Sequence, residues 1–187
     1  MKLKLAAAVL ALAANTAFAG VITNGNFDSG LNGWTSNGNV TLVNNGGAAA
    51  RLTAGLGAET YTTLLQSISL NAGDTLTGQA QFFGADYLPY NDNAYVKLSG
   101  NDLFYSSIAN VGAYGTSALT SFSFTALVSG TYFLSAGVAN SIDNVGSSTL
   151  EVRNFAVTNA VPEPASLALF GLALAGFVAA RRRKLGK

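Results

Sequence analysis

Leu119-Thr120-Ser121-Phe122-Ser123-Phe124-Thr125-Ala126-Leu127 and Thr131-Tyr132-Phe133-Leu134-Ser135-Ala136-Gly137-Val138, separated by Val128-Ser129-Gly130, decide the fold. In the first run Leu119, Phe122 and Phe124 interleave with Thr120, Ser121, Ser123 and Thr125, with one slip in phase. In the second, Tyr132, Leu134 and Ala136 alternate with Phe133 and Ser135. A period of two puts successive side chains on opposite faces and marks a half-buried strand. Ser129-Gly130 between the runs is turn chemistry. Further on, Leu150, Val152 and Phe155 fall beside Glu151 and Arg153, again with a slip, which reads as a bulge.

The same pattern extends outward from this pair. Runs rich in Thr, Val, Leu, Phe and Tyr cover residues 39–43, 49–53, 60–70, 75–84, 94–99, 103–109, 118–127, 131–138 and 149–158. Turn signals separate them, among them Asn37-Gly38, Asn45-Gly46, Ala72-Gly73-Asp74, Ser99-Gly100-Asn101 and Asn144-Val145-Gly146. No sustained helical period interrupts the series, and no internal repeat stands out. Nine short strands with regular turns predict an all-β body, a jelly-roll-like β-sandwich spanning residues 20–160.

Composition narrows the chemistry. The 187 residues include no Cys and no His, so Ser-His-Asp and Cys-His triads, His/Cys zinc sites and disulfides are excluded. Charged residues make up 10%, against about 25% in an ordinary soluble domain, so Asn, Ser, Thr and Gly must cover the solvent faces. The charges are also segregated. Between residues 20 and 160 three bases (Arg51, Lys97, Arg153) face eight acids (Asp28, Glu59, Asp74, Asp86, Asp92, Asp102, Asp143, Glu151), a net charge of −5. An acidic body argues against nucleic acid, which needs basic patches. It suits cations or neutral sugars.

The two ends read as addresses. Lys2 and Lys4 precede an apolar run from Leu5 to Ala14, followed by Ala17-Phe18-Ala19. Basic start, short apolar core and small-x-small site predict a signal peptide over 1–19, cut after Ala19, with the Sec translocon and signal peptidase as partners. At the other end, Val161-Pro162-Glu163-Pro164 precedes an apolar stretch over 165–180 and the cluster Arg181-Arg182-Arg183-Lys184. Sixteen helical residues span ~24 Å, slightly short of a ~30 Å bilayer core, a gap that snorkelling arginines cover. The basic cluster should stay cytoplasmic, which anchors the protein in the inner membrane with its body on the outer side. The prolines keep the peptide before the span extended.

This three-part tail, residues 161–187, resembles the PEP-CTERM sorting signal of Gram-negative bacteria. The resemblance implies exosortase, a membrane-embedded cysteine transpeptidase, as the partner that cuts near Val161, Pro162, Glu163 and Pro164. It also implies release of the body to the cell surface or extracellular matrix of a polysaccharide-producing cell.

Within the body, Asn24-Gly25-Asn26-Phe27-Asp28-Ser29-Gly30-Leu31-Asn32-Gly33-Trp34 resembles the opening segment of carbohydrate-binding-module-like jelly rolls. Trp34 has two readings, core packing or a sugar-stacking face. Residues 83–96, with Asp86-Tyr87-Leu88-Pro89-Tyr90-Asn91-Asp92, and residues 137–144, with Gly137-Val138-Ala139-Asn140, resemble boxes of a module in large bacterial adhesins, with Ala85 where that module has Gly. The candidate sugar contacts are Trp34, Tyr87, Tyr90 and Tyr114. Asp86, Asn91, Asp92, Asn93, Asn140 and Asp143 are oxygen-rich candidates for calcium, which takes six to eight oxygens. The same residue types also cap turns without any metal, and no EF-hand spacing is present. Asp86 and Asp92 are the first choice among the acids for a glycosidase pair.

The expected protein is a non-enzymatic, exported surface or matrix component that binds exopolysaccharide with calcium support. A self-associating matrix protein without glycan preference is the alternative, and a glycan-active enzyme a distant one.

Overall fold

The computed structural model describes residues 20–44, 46–160 and 171. The expected signal peptide, the sorting motif and, Gly171 apart, the apolar span lie outside the described residues. Among the described residues no helix is long and apolar enough to cross a membrane.

The described residues hold ten strands: β1 (Thr35–Asn37), β2 (Asn39–Asn44), β3 (Ala48–Thr53), β4 (Thr62–Leu70), β5 (Thr75–Phe83), β6 (Asn93–Leu98), β7 (Asn101–Ser107), β8 (Thr120–Thr125), β9 (Gly130–Ala139) and β10 (Thr149–Thr158). One helical turn, α1 (Ile108–Val111), follows β7. The strands form two five-stranded antiparallel sheets, ordered β1-β4-β9-β6-β7 and β2-β3-β10-β5-β8. The chain crosses repeatedly between them, which gives the jelly-roll-like sandwich.

The nine expected strands are all found, the last with the expected bounds and the others with shifted ends. β1 is the addition; its Thr-Ser-Asn sequence is exposed throughout and carries no apolar alternation to read. The slip expected around Leu119 disappears, because β8 starts one residue later and Phe122 and Phe124 then keep strict period. Ile108 and Ala109 belong to α1 rather than to a strand. The slip near Phe155 is real: the β10–β5 register shifts between Arg153 and Ala156, and Asn154 has φ 55°.

That bulge decides the core. It turns Phe155 inward, where its ring lies 5.3 Å from Trp34, 6.3 Å from Phe27 and 5.9 Å from Phe122. Phe27 and Trp34 arrive from the irregular segment 22–34, which has few strand bonds of its own. Side chains fasten it instead. Gln66, inward-facing on β4, accepts from Thr23 N (2.8 Å) and donates to Thr23 O (2.9 Å) and Gly33 O (3.0 Å). Asn24 donates to Gly30 O and accepts from Ser29 N. Buried polar groups are tolerated when satisfied in this way. Leu52, Leu64, Leu76, Phe82, Val96, Leu134 and Leu150 complete the inter-sheet layer, all essentially fully buried.

Antiparallel order gives the sandwich two distinct ends. The segments 54–61, 84–92, 108–119 and 140–148 link strands at one end. The turn 71–74 lies at the other, together with residue 20 and residues 158–160. β10, at ten residues and about 3.3 Å each, carries the chain roughly 30 Å from the first end to the second.

Candidate functional site

At the four-segment end, Tyr87 and Tyr90 close a turn in which Tyr90 N donates to Tyr87 O at 2.9 Å. Leu88 and Pro89 form its exposed tip, and the Leu88–Pro89 peptide is cis. Tyr114 comes from the segment after α1. Its N–H donates to Asp86 O at 2.8 Å, and its backbone is held at φ 55°, a region unfavourable for side chains other than glycine. The result is a three-ring cluster. Tyr87 lies 5.6 Å from Tyr90, near perpendicular, and 6.0 Å from Tyr114. Tyr87 is 47% and Tyr114 65% exposed, so ring faces are open to solvent.

Beneath this cluster lies a brace of buried acids. Asp86 Oδ1 accepts Tyr87 N at 2.8 Å. Asp92 is fully buried; its Oδ1 accepts Ser141 N at 2.9 Å, its Oδ2 the Ser148 hydroxyl at 2.6 Å, and its backbone oxygen Ile108 N at 3.0 Å. One residue thus joins three of the four segments. Burial pushes the Asp92 carboxyl above the ordinary carboxylate range; the Ser148 and Ser141 bonds oppose this, while nearby Asp86 and Asp143 add to it.

The six candidate calcium ligands do not converge into one shell. Asn91 Oδ1 accepts Ala109 N at 2.8 Å, and Asn93 Oδ1 accepts the Tyr61 hydroxyl at 2.6 Å. Both therefore serve the local fold. Asp143 Oδ1 accepts Val145 N at 2.9 Å, an ordinary turn bond. Among the described residues no three His, Cys, Asp or Glu side chains are placed to hold a metal. Asn140 differs from the rest: it is fully buried, its amide donates to Asn144 Oδ1 at 3.2 Å, and its Oδ1 has no hydrogen-bond partner among the described residues.

Of the two readings of Trp34, the structure fits core packing and not the sugar-stacking face: it is 9% exposed, packs between Phe27 and Phe155, and donates Nε1–H to Asn24 O at 3.2 Å. Asp86 and Asp92, the suggested glycosidase pair, are both engaged in holding loops.

Two groups of residues escaped sequence reading. Ser141, Ser148 and Glu59 brace the site, and the last accepts the Ser141 hydroxyl at 2.7 Å. Nothing local marks such long-range partners. The second group covers the solvent face of the β4-β9-β6-β7 sheet. Tyr61 and Tyr95 meet edge to face at 5.1 Å, Tyr95 pairs across strands with Tyr105, and Phe133 is 66% exposed. Alternation of Asn93, Tyr95 and Lys97 with buried Ala94, Val96 and Leu98 was the signal that could have found it.

Residues 160–184 match the PEP-CTERM protein-sorting motif. The motif indicates a secreted protein that exosortase processes. No curated protein matches the chain. Similar solved structures include TmCBM61 in complex with β-1,4-galactotriose, at 15% identity over 74% of this chain and 97% of that one, TM-score 0.49. The K3 cleaved adhesin domain of Lys-gingipain from Porphyromonas gingivalis W83 is 15% identical over 74% and 99%, TM-score 0.49. The N-terminal cellulose-binding domain of Cellulomonas fimi β-1,4-glucanase C is 15% identical over 70% and 91%, TM-score 0.42. At these identities the likeness concerns fold alone.

Proposed function

We propose that this is an exported surface protein whose Tyr87–Tyr90–Tyr114 end grips a neutral exopolysaccharide. The observation that carries the reading is the convergence of three tyrosines from two segments, with ring separations of 5.6 and 6.0 Å and with Tyr87 and Tyr114 exposed. Aromatic faces stack on the apolar faces of sugar rings, while phenol hydroxyls bond their rims. The neighbouring Asp86, Asp92 and Asp143, on a body of net charge −5, repel anionic chains and leave neutral ones. Calcium is the proposed support. Asn140 is the residue that would reach it, and its orphan Oδ1 is the observation in its favour. Asn140 opens the segment that Asp92 ties to two others, so a cation there would stiffen the tyrosine platform.

The test is binding of the mature protein to its producer's exopolysaccharide, in calcium and then in EDTA. Saturable binding that falls at least tenfold in Tyr87→Ala/Tyr114→Ala, with an unchanged melting temperature, is expected. Loss in EDTA would support the cation; binding indifferent to EDTA would remove it. Absence of binding in both conditions would overturn the glycan reading.

The exposed Phe133, Tyr105 and Leu65 on one sheet face favour a second reading, self-association into a matrix. Concentration-dependent assembly abolished by Phe133→Ser, with no glycan preference, would establish it.

A further inference from the structure

Asp74 lies in the turn between β4 and β5, at the end opposite the tyrosines, and is 1% exposed. Its carboxylate gathers donors from three separate parts of the chain. Asn71 N donates to Oδ2 at 2.8 Å, Ala160 N to Oδ1 at 2.8 Å, and the backbone N–H of Gly20 joins them. Gly20 is itself buried, and no larger residue fits there. A Cβ would stand 2.6 Å from Asp74 Oδ2, 3.0 Å from Ser69 O and 3.1 Å from Val157 Cγ1.

Two features of this arrangement suit a positive charge. A buried carboxylate is costly without a counter-charge. Yet among the described residues no lysine or arginine forms an ion pair with Asp74. The groups facing it from β4, β10, the 126–129 turn and the chain start are neutral: Ser69, Asn71, Val157, Ala160, Ala126 and Gly20. Gly20 is also the residue that follows the expected cleavage site. Hydrolysis of the Ala19–Gly20 peptide consumes one water, leaves a carboxylate on Ala19, and leaves on Gly20 an amine that is protonated at neutral pH.

We propose that Asp74 is the receptor for the amino terminus released by signal cleavage. The new Gly20 α-ammonium docks on the buried carboxylate as an ion pair, and the same carboxylate holds Ala160, immediately before Val161-Pro162-Glu163-Pro164. Both processing sites are therefore fastened at one point, and the tyrosine end faces away from it. Cleavage replaces one amide donor with a charged group bearing three, so the domain tightens only after export.

The test uses mature protein recovered from the producer. Intact-mass and amino-terminal analysis should give Gly20 as the first residue. Acylation of its α-amine, followed across pH, should show titration at least one unit above the peptide range of about 7.7–8.0, hence roughly tenfold slower labelling near neutrality. An amine held charged by a carboxylate contributes stability that is complete below the peptide range and lost as pH rises through the raised value. The melting temperature should accordingly fall in alkali. Asp74→Asn should restore ordinary labelling. Because that variant also removes the acceptor that Asn71 N and Ala160 N share, a second variant is needed: one alanine inserted after Ala19 keeps Asp74 and displaces the ammonium, and it should label normally and lose the alkaline fall. Peptide-like labelling in the unaltered protein, or a first residue other than Gly20, would overturn the proposal.

Discussion

Ser148 donates its hydroxyl to Asp92 Oδ2 at 2.6 Å across 56 residues of sequence, and both residues are fully buried. The same hydroxyl oxygen accepts Ala85 N at 3.0 Å. One small side chain thus joins the tyrosine-bearing segment 84–92 to segment 140–148. Ser148→Ala removes a donor and an acceptor at once, leaving buried groups unpaired at about 1–3 kcal/mol. The Asp92 carboxyl should also rise further, since one of the bonds holding it down is lost. Urea denaturation reads the first effect; an unchanged midpoint would mean that water replaces the hydroxyl.

Trp34 and Tyr87 should behave oppositely. Trp34→Ala deletes the centre of the Phe27–Trp34–Phe155 cluster and should cost about 3–5 kcal/mol. Tyr87→Ala removes a half-exposed ring and should leave the melting temperature nearly unchanged while weakening glycan retention in affinity electrophoresis. Equal destabilisation by the two substitutions would mean that the tyrosine cluster is structural.

The contrast shows what sequence can carry. Strand alternation identified the sandwich because period two is local, and even the β10 bulge left a trace in the phase of Phe155. Tyr87, Tyr90 and Tyr114 were readable as candidates because an apolar ring in a turn-rich segment has no local core to enter. Trp34 obeyed the same description yet is buried, because Gln66 and the bulge at Asn154, both distant in sequence, draw its segment onto the core. The oxygen-rich residues misled for a related reason. Asn91 and Asn93 look like ligands in a string of letters, but their partners Ala109 and Tyr61 come from elsewhere in the chain.

Two buried aspartates should pull acid stability in opposite directions. Burial alone would raise the Asp74 carboxyl, but the N–H groups of Asn71, Ala160 and Gly20 outweigh it and hold the group below the ordinary value. Its stabilisation is present above the unfolded carboxylate pKa of about 3.9 and lost as pH falls through the lower folded value. Asp92 is raised, mainly by burial, so its contribution is fullest below about 3.9 and declines as pH rises through its folded value. In melting curves between pH 3 and 7, about the carboxylate range, Asp74→Asn should therefore flatten the acid loss and Asp92→Asn should steepen it. The same slope in both variants would contradict this assignment.

Tyr95 lies across Gly137, its direct partner between β6 and β9. A Cβ at Gly137 would stand 2.6 Å from Tyr95 Cζ and 2.7 Å from Cε1. Glycine weakens a strand interior and often marks a close approach; here it provides the flat seat on which the ring rests. Those contacts involve the far end of a flexible side chain, so Gly137→Ala should lift the ring rather than break the sheet. The displaced ring would lose its 5.1 Å contact with Tyr61 and the Lys97 ammonium 5.1 Å above its centre. An aromatic pair is worth about 0.5–1.5 kcal/mol, partly offset by the better strand propensity of alanine, so the net cost should stay near 1 kcal/mol. The sharper readout is the phenol itself. Burial raises Tyr95 above its ordinary value, with Lys97 opposing, and a lifted ring should titrate earlier in an alkaline absorbance titration. If titration is unchanged while stability drops by several kcal/mol, the backbone has yielded instead and the ring has kept its seat.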